Sequence, residues 1–424
     1  MNFLLPFLFT ALGFGQLSLL NGFRWEYGAA LATWLACFGL ATHLLRRRLP
    51  LADPYLLPLV SLLTGLGLLM VARLAPRFLL RQTVWLAVST AALLAVTLVP
   101  RNLAWLRRYK YTWLLAGLAL LAATLAFGVN PSGTGARLWL GAGGVYFQPS
   151  EPLKILLVVF LAVYLSDRRR PLIEVEARLG RLRLPHPAYL GPMLTMWGFS
   201  LLLLFWQRDL GAALLFFCTF LAMLYAAVGR AQYVLVGLGL LLAAGAIGYR
   251  AFDYVALRIE GWWNPWLDPA GRSFQVVQSL LAFAEGGWIG QGLGQGLPTA
   301  IPVVHTDFVF AAVAEEYGLL GATGVLLAFG LIVHRAFQIA LRCETHFRQL
   351  LATGLGFLIG LQTLVIAAGA LKLIPLTGVT LPFVSYGGSS LLTSFVMVGL
   401  LLFMSAQGGR MQTPQDRLSS LSHP

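Results

Sequence analysis

The chain has 424 residues, of which 58% are hydrophobic and only 11% charged, and it carries a formal net charge of +14. So large an apolar excess excludes an ordinary soluble domain and points to a polytopic membrane protein. The positive charge does not imply nucleic-acid binding, because the Lys and Arg residues sit mainly in short loops between apolar runs, not on one contiguous basic face.

Apolar runs recur from end to end, each long enough to cross about 30 Å of hydrocarbon. The first, from about Phe3 to Leu20, has no basic lead and no small-residue cleavage site, so it reads as a retained helix and not a signal peptide. About twelve spans are expected, centred near residues 12, 36, 63, 89, 120, 158, 197, 218, 240, 320, 358 and 396. The fold class is therefore an all-α polytopic integral membrane protein. Two helices occupy residues 1–48, a helical core follows over 49–408, and a polar tail over 409–424, with Pro414 and several serines, is expected to be disordered. Placing Arg46, Arg47 and Arg48 in the cytoplasm puts the clusters Arg101/Arg107/Arg108/Lys110 and Arg168/Arg169/Arg170/Arg178/Arg181/Arg183 on the same side, with both termini.

Three outer segments are left between the spans, at Gly128–Gln148, at about 250–304 and at Lys372–Tyr386. Each is rich in Gly, Pro, Trp and polar residues, and loops of such length are usually functional or disordered. The middle one carries Trp262, Trp263, Trp266 and Trp288, which suggests an ordered loop at the lipid interface. Its glycine run Gly286–Gly296 lacks the strand and βαβ setting of a nucleotide loop and reads as a tight re-entrant turn or close helix packing. Cys37, Cys218 and Cys343 share no metal-type spacing and read as packing residues.

The chain has only sixteen Asp and Glu residues, yet three of them crowd the segment from Val303 to Gly318, at Asp307, Glu315 and Glu316. Carboxylates at membrane depth are costly and usually functional. Two readings stand for Asp307: an N-cap of the tenth span beside His305 and Thr306, or a catalytic group. For Glu315 and Glu316 the choice is between a functional role and bonds that tie helices together.

A second constellation combines Arg137 and Trp139 with Ser150, Glu151 and Lys154. Ser150 reads as an N-cap, and Glu151 and Lys154 are spaced to pair on one helix face. Alternatively Arg137 and Lys154 meet an anionic head group. The tight turn Gln207-Arg208-Asp209 lets Arg208 and Asp209 neutralise each other. A third constellation, Pro375–Ser390, breaks the last apolar run with prolines and glycines, which is tolerated only where backbone is buried or lines a wet cavity. No nucleophile elbow, catalytic triad or zinc-type cluster is present in the sequence.

Together the blocks GARLWLG…FQPSEPLK, QRDLG, FQVVQSLLAFAEGGWIGQGLGQG, HTDFVFAAVAEEYGLLGA and PLTGVTLPFVSYGGSS resemble the SEDS family (shape, elongation, division and sporulation), over about Asp53 to Gly408 and in the family's order. The resemblance implies a ten-helix core, here preceded by two extra helices, and polymerisation of lipid II, an undecaprenyl-diphosphate-linked disaccharide peptide. The activity would lie at the outer face of the bacterial plasma membrane, beside a class B penicillin-binding protein that cross-links the strands. It implies Asp307 as the catalytic base. It also implies a substrate-binding set of Arg137, Trp139, Glu151, Lys154, Gln207, Asp209, His305, Thr306, Ser385, Ser389 and Ser390. Arg208 stands where many members have proline. No cofactor is fixed by the sequence; a divalent cation such as Mg or Mn would suit a diphosphate leaving group. The alternatives are a lipid II flippase, which would carry polar residues through the full membrane depth, and a non-catalytic scaffold for which Asp307 is dispensable.

Overall fold

The computed structural model describes residues 3–130, 136–143, 145–174, 176–179, 182–185 and 187–409. The tail from residue 410, Gly135 of the GARLWLG block and Arg181 lie outside the described residues.

A helix covers each of the twelve expected centres. The N-terminal pair is α1 (Leu4–Asn21) and α2 (Trp25–Arg48), followed by α3 (Leu56–Leu74), α4 (Leu79–Leu98), a short α5 (Ala104–Arg108) and α6 (Lys110–Phe127). A small antiparallel hairpin, β1 (Leu140–Ala142) and β2 (Val145–Phe147), leads into α7 (Ser150–Asp167) and the short α8 (Arg169–Glu174). A second hairpin, β3 (Glu176–Leu179) and β4 (Leu182–Pro185), precedes α9 (Pro187–Trp206), α10 (Leu210–Val228) and α11 (Ala231–Ala251). Then come α12 (Asp253–Trp263), α13 (Phe274–Gly286), α14 (Val309–Arg342), α15 (His346–Ala370) and α16 (Gly388–Gly409).

Among the described residues ten helices are long and apolar enough to cross a membrane. Of the other two at expected centres, α7 is 18 residues long and carries Glu151, Lys154 and Asp167, and α9 contributes the apolar stretch Met193–Trp206. The protein is an all-α, multi-pass membrane protein. The segment at 250–304, expected as one ordered loop, instead contains α12 and α13, and α13 packs along α14. Its apolar periodicity makes it a helix, but at 13 residues it is too short to span.

The core is built around α3, α15 and α16, whose apolar windows are 72–83% buried, against 28% for α1 and α2. The N-terminal pair is peripheral, α1 packing on α3 and α2 on α4. Lipid tails are as apolar as leucine, so close backbone approach has to hold such a bundle together. Gly356 and Gly360 supply it between α15 and α14: a Cβ at these positions would meet Ala336 Cβ at 2.6 Å and Val333 Cγ2 at 3.0 Å.

The long helix α14 is broken at Gly318, whose φ of 68° and ψ of −168° interrupt the ladder of backbone bonds. The orphaned groups are taken up by the glycine run. Leu319 N donates to Gly287 O (2.9 Å) and Leu320 N to Trp288 O (3.1 Å), while Gln291 N and Gly292 N donate to Glu315 O and Glu316 O (2.9 Å each). This satisfies broken backbone at membrane depth, where an unpaired amide costs several kcal/mol. The glycines are required by contact: a Cβ on Gly290 would lie 2.3 Å from Glu316 O. Of the two alternatives for this run, the close helix packing is present.

Candidate active site

Asp307 lies in the loop that enters α14. The cap position belongs to Phe308, and no side chain caps the helix there, so the N-cap reading of Asp307 does not hold. The loop is held from the side by the third constellation. Tyr386 N donates to His305 O (2.8 Å), and Ser385 Oγ donates to Thr306 O (2.6 Å) while accepting from Leu381 N (2.9 Å). Phe78 stacks on Tyr386 with centroids 4.6 Å apart and leans on His305 at 5.4 Å. The loop that carries Asp307 is thereby fixed to a segment far away in sequence. Gly378, at φ 72°, faces this carboxylate: a Cβ added there would lie 3.8 Å from Asp307 Oδ2.

Asp307 is half-buried on the wall of a cavity of about 450 Å³, which Arg258, Arg272, Lys372 and Trp262 also line. Burial pushes its carboxyl up to about 6, against the opposing pull of a Thr306 hydrogen bond and the Arg258 charge. His305 is held below its usual value by burial and then by the Arg77 charge. Trp262 donates its Nε1–H to Lys372 O (3.0 Å), whereas Trp263, Trp266 and Trp288 are exposed.

A second cavity, of about 590 Å³, is lined by Arg137, Gln207, Arg208, Tyr254 and Arg258, so Arg258 belongs to both. Gln207 is fixed by donating to Leu121 O (2.6 Å) and to Thr124 Oγ1. Asp209 does not neutralise Arg208. Its Oδ1 accepts from Ala212 N (3.0 Å) and caps α10. The Arg137–Trp139 segment is closed by paired backbone bonds between Trp139 and Val129 (2.8 and 3.2 Å).

The other expected contacts stand one step back from the cavities. Lys154, 3% exposed, donates to Glu151 Oε1 (2.8 Å) and Gln362 Oε1 (3.1 Å), so its ammonium is not presented to a head group. Gln362 in turn donates to Thr380 O (2.7 Å), and Thr380 Oγ1 pairs with Ser390 Oγ (2.7 Å). A buried ion pair thus braces the loop that carries Gly378. Ser389 and Ser385 are also buried. Ser150 is not the cap of α7; Pro149 occupies that position, and Gln148 Nε2 donates to Ser150 Oγ (3.0 Å). Glu316 pairs with Arg73 (2.9 Å), which also donates to Gly296 O (2.8 Å), and Glu315 accepts from Leu297 N. Both glutamates tie the glycine run to α14.

All four non-glycine residues with positive φ among the described residues, Arg208 (63°), Val303 (56°), Lys372 (57°) and Phe383 (65°), lie in the loops that build this region. Such strain costs of order 1 kcal/mol or more per residue and gathers where function needs it. Among the described residues no three His, Cys, Asp or Glu side chains come together as a metal ligand set. Sequence reading missed Arg258, Arg272 and Lys372, although each lies in a segment that the charge bias assigned to the outer side, where cations were expected to be scarce, the signal that singled out Arg137.

The profile of the FtsW, RodA and SpoVE cell cycle proteins matches residues 55–409. Peptidoglycan glycosyltransferase RodA of Mycobacterium tuberculosis is 37% identical over 409 residues, covering 94% of this chain and 87% of that protein. The match leaves about 25 residues of this chain uncovered, fewer than the N-terminal helix pair contains, so that relative shares at least part of the pair. A probable peptidoglycan glycosyltransferase FtsW of Geobacter sulfurreducens is 36% identical over 334 residues, covering 78% of this chain and 86% of its own length. A solved peptidoglycan synthase complex contains a chain that aligns with a TM-score of 0.70 at 32% identity, covering 84% of this chain and 98% of that one. The rod shape determining protein RodA of Thermus thermophilus aligns with a TM-score of 0.60 at 28% identity, covering 84% and 96%. With matching blocks, a matching profile and a matching fold, this chain belongs to the FtsW, RodA and SpoVE family of cell cycle proteins.

Proposed function

We propose that this chain is a peptidoglycan glycosyltransferase that polymerises lipid II into glycan strands. The observation that carries the reading is Asp307: a carboxylate that burial pushes up to about 6, in a cavity with three cations. In the reaction the acceptor hydroxyl oxygen bonds to the donor's anomeric carbon. The bond from that carbon to the diphosphate breaks, and its electron pair leaves with the diphosphate. Asp307 takes the hydroxyl proton, a task suited to a carboxylate whose ionisation has been moved toward working pH. Arg258 stabilises the charge on the leaving diphosphate, and Arg272 and Lys372 hold anionic oxygens of the bound substrate. The donor is already activated, so no nucleotide is required.

The site faces outward in this reading, because the loops that build it alternate with the basic inner loops. Lipid reaches it from the bilayer side. A class B penicillin-binding protein is the expected partner, a reading supported by the relative whose structure concerns coordinated polymerization and crosslinking. Any divalent cation would be held largely by the substrate diphosphate, and no step above depends on it.

The test is glycan synthesis from purified lipid II in detergent with the cognate transpeptidase, comparing the unaltered protein and Asp307→Asn, with and without magnesium. Polymer from the unaltered protein alone, with the variant folded and partner-bound, supports the transferase and its base. Polymer from both removes Asp307 from the mechanism. No polymer from either brings the flippase and scaffold readings forward.

A further inference from the structure

The second cavity deserves an occupant of its own, and its chemistry names one. Three guanidinium groups, Arg137, Arg208 and Arg258, line it, with no Asp or Glu among the lining residues. The nearest carboxylate in sequence, Asp209, is committed to the cap of α10. Arg208 is placed deliberately. Its backbone takes φ 63°, which proline cannot adopt, and its guanidinium lies 5.3 Å from the Tyr254 ring centroid. Tyr254 is itself propped by Phe205 and Phe252, whose rings meet edge to face at 4.9 Å. Planar guanidinium groups on a fixed platform, without carboxylates, match the multiply accepting oxygens of a phosphate or diphosphate.

Joining two lipid-linked sugars requires two diphosphates to be held at once. Resting on the proposed transferase activity, we infer that the Arg137/Arg208/Arg258 cavity binds the diphosphate of the donor, the leaving group, while the Asp307 cavity holds the acceptor. The division follows from the base: the group that takes the hydroxyl proton must lie with the acceptor. Arg272 and Lys372 then serve the acceptor's own diphosphate. Arg258 lines both cavities and stands between the reacting partners, where it meets the charge that appears on the leaving diphosphate. Arg208 is in this arrangement a binding determinant of the donor subsite.

The experiment measures inhibition of lipid II polymerisation by a polyprenyl diphosphate, with the full chain and its transpeptidase in detergent. The variants are Arg208→Asn, which tolerates the left-handed turn, Arg208→Lys and Arg137→Gln, each with its thermal unfolding recorded. Loss of one charge-assisted contact should raise the half-inhibiting concentration about tenfold in Arg208→Asn and Arg137→Gln and lower kcat/KM for lipid II about tenfold. Arg208→Lys, which keeps the charge but not the planar fork, should recover only part of the loss, with unfolding unchanged. Unchanged inhibition and kcat/KM in Arg208→Asn overturn the inference while leaving the transferase standing. A deficit that tracks lowered thermal stability and is not relieved in Arg208→Lys also overturns it, assigning Arg208 to the turn alone. No polymer from the unaltered protein defeats the transferase reading, and this subsite with it.

Discussion

Replacing Asp307 by Asn tests the electrostatics of the site separately from its chemistry. Burial lifts the carboxyl from 3.8 to about 6. The folded state then holds a proton more tightly than the unfolded chain, so folding stability falls as pH rises through the window from about 4 to about 6. A displacement of about two pH units corresponds to about 3 kcal/mol of ionisation cost. Solvent in the cavity makes that an upper bound. Asn keeps the shape and removes the charge, so above pH 7 the variant should be more stable than the unaltered protein by as much as about 3 kcal/mol. The gap should close below about pH 4, where Asp307 is protonated in both states. Thermal unfolding in detergent between pH 4 and pH 8 reads this directly. In the polymerisation assay the unaltered protein should show an acid limb with a midpoint near pH 6, and Asn should be inactive. A variant no more stable than the unaltered protein at pH 7.5, or an acid limb near pH 4, would refute the argument that burial tunes this base.

Other outcomes follow from the same geometry. Lys154→Met leaves Glu151 buried and unpaired and should cost about 3–5 kcal/mol in thermal unfolding, largely recovered by adding Glu151→Gln. Arg272→Gln and Lys372→Gln should each lower kcat/KM at least about tenfold with little change in unfolding temperature, since both line the cavity without bracing it. Ser385→Ala removes the hydroxyl that joins the Thr306 carbonyl to the Leu381 amide and should lower kcat more than it raises KM, because Asp307 then moves relative to the substrate. Gly318→Ala places a Cβ 2.4 Å from Gly290 N at a positive φ and should undock the glycine run, read as faster proteolysis within residues 286–297.

The mechanism turns on loops braced from behind. Glu151, Lys154, Gln362, Thr380 and Ser390 form a continuous set of polar contacts from α7 through α15 to α16, and its product is the position of the Gly378 loop against Asp307. Polar groups of this kind are expensive in a membrane bundle unless fully paired, so such a network favours one loop conformation over others. The Glu316–Arg73 pair does the same for the glycine run on the far side of α14.

The sequence by itself determined that a helix lies at each expected apolar centre, and it singled out the candidate base. Transfer into a bilayer is close to a sum over local residues, so apolar length shows where each span lies. Sixteen carboxylates in 424 residues made the group around Asp307 conspicuous. The i,i+3 spacing also made the Glu151–Lys154 pair legible, but not its third partner Gln362. Only the tertiary structure decided what surrounds Asp307. The cavity is assembled from α12, the residues entering α13 and the loop after α15, and no local pattern ties Arg258, Arg272 and Lys372 together. It likewise decided that Asp307 does not cap α14 and that Asp209 turns from Arg208 to cap α10, since a single backbone angle at Arg208 sends neighbouring charges to different partners. Spans are fixed by local free energies of transfer; a site is fixed by where distant loops meet, and that depends on the packing of every helix between them.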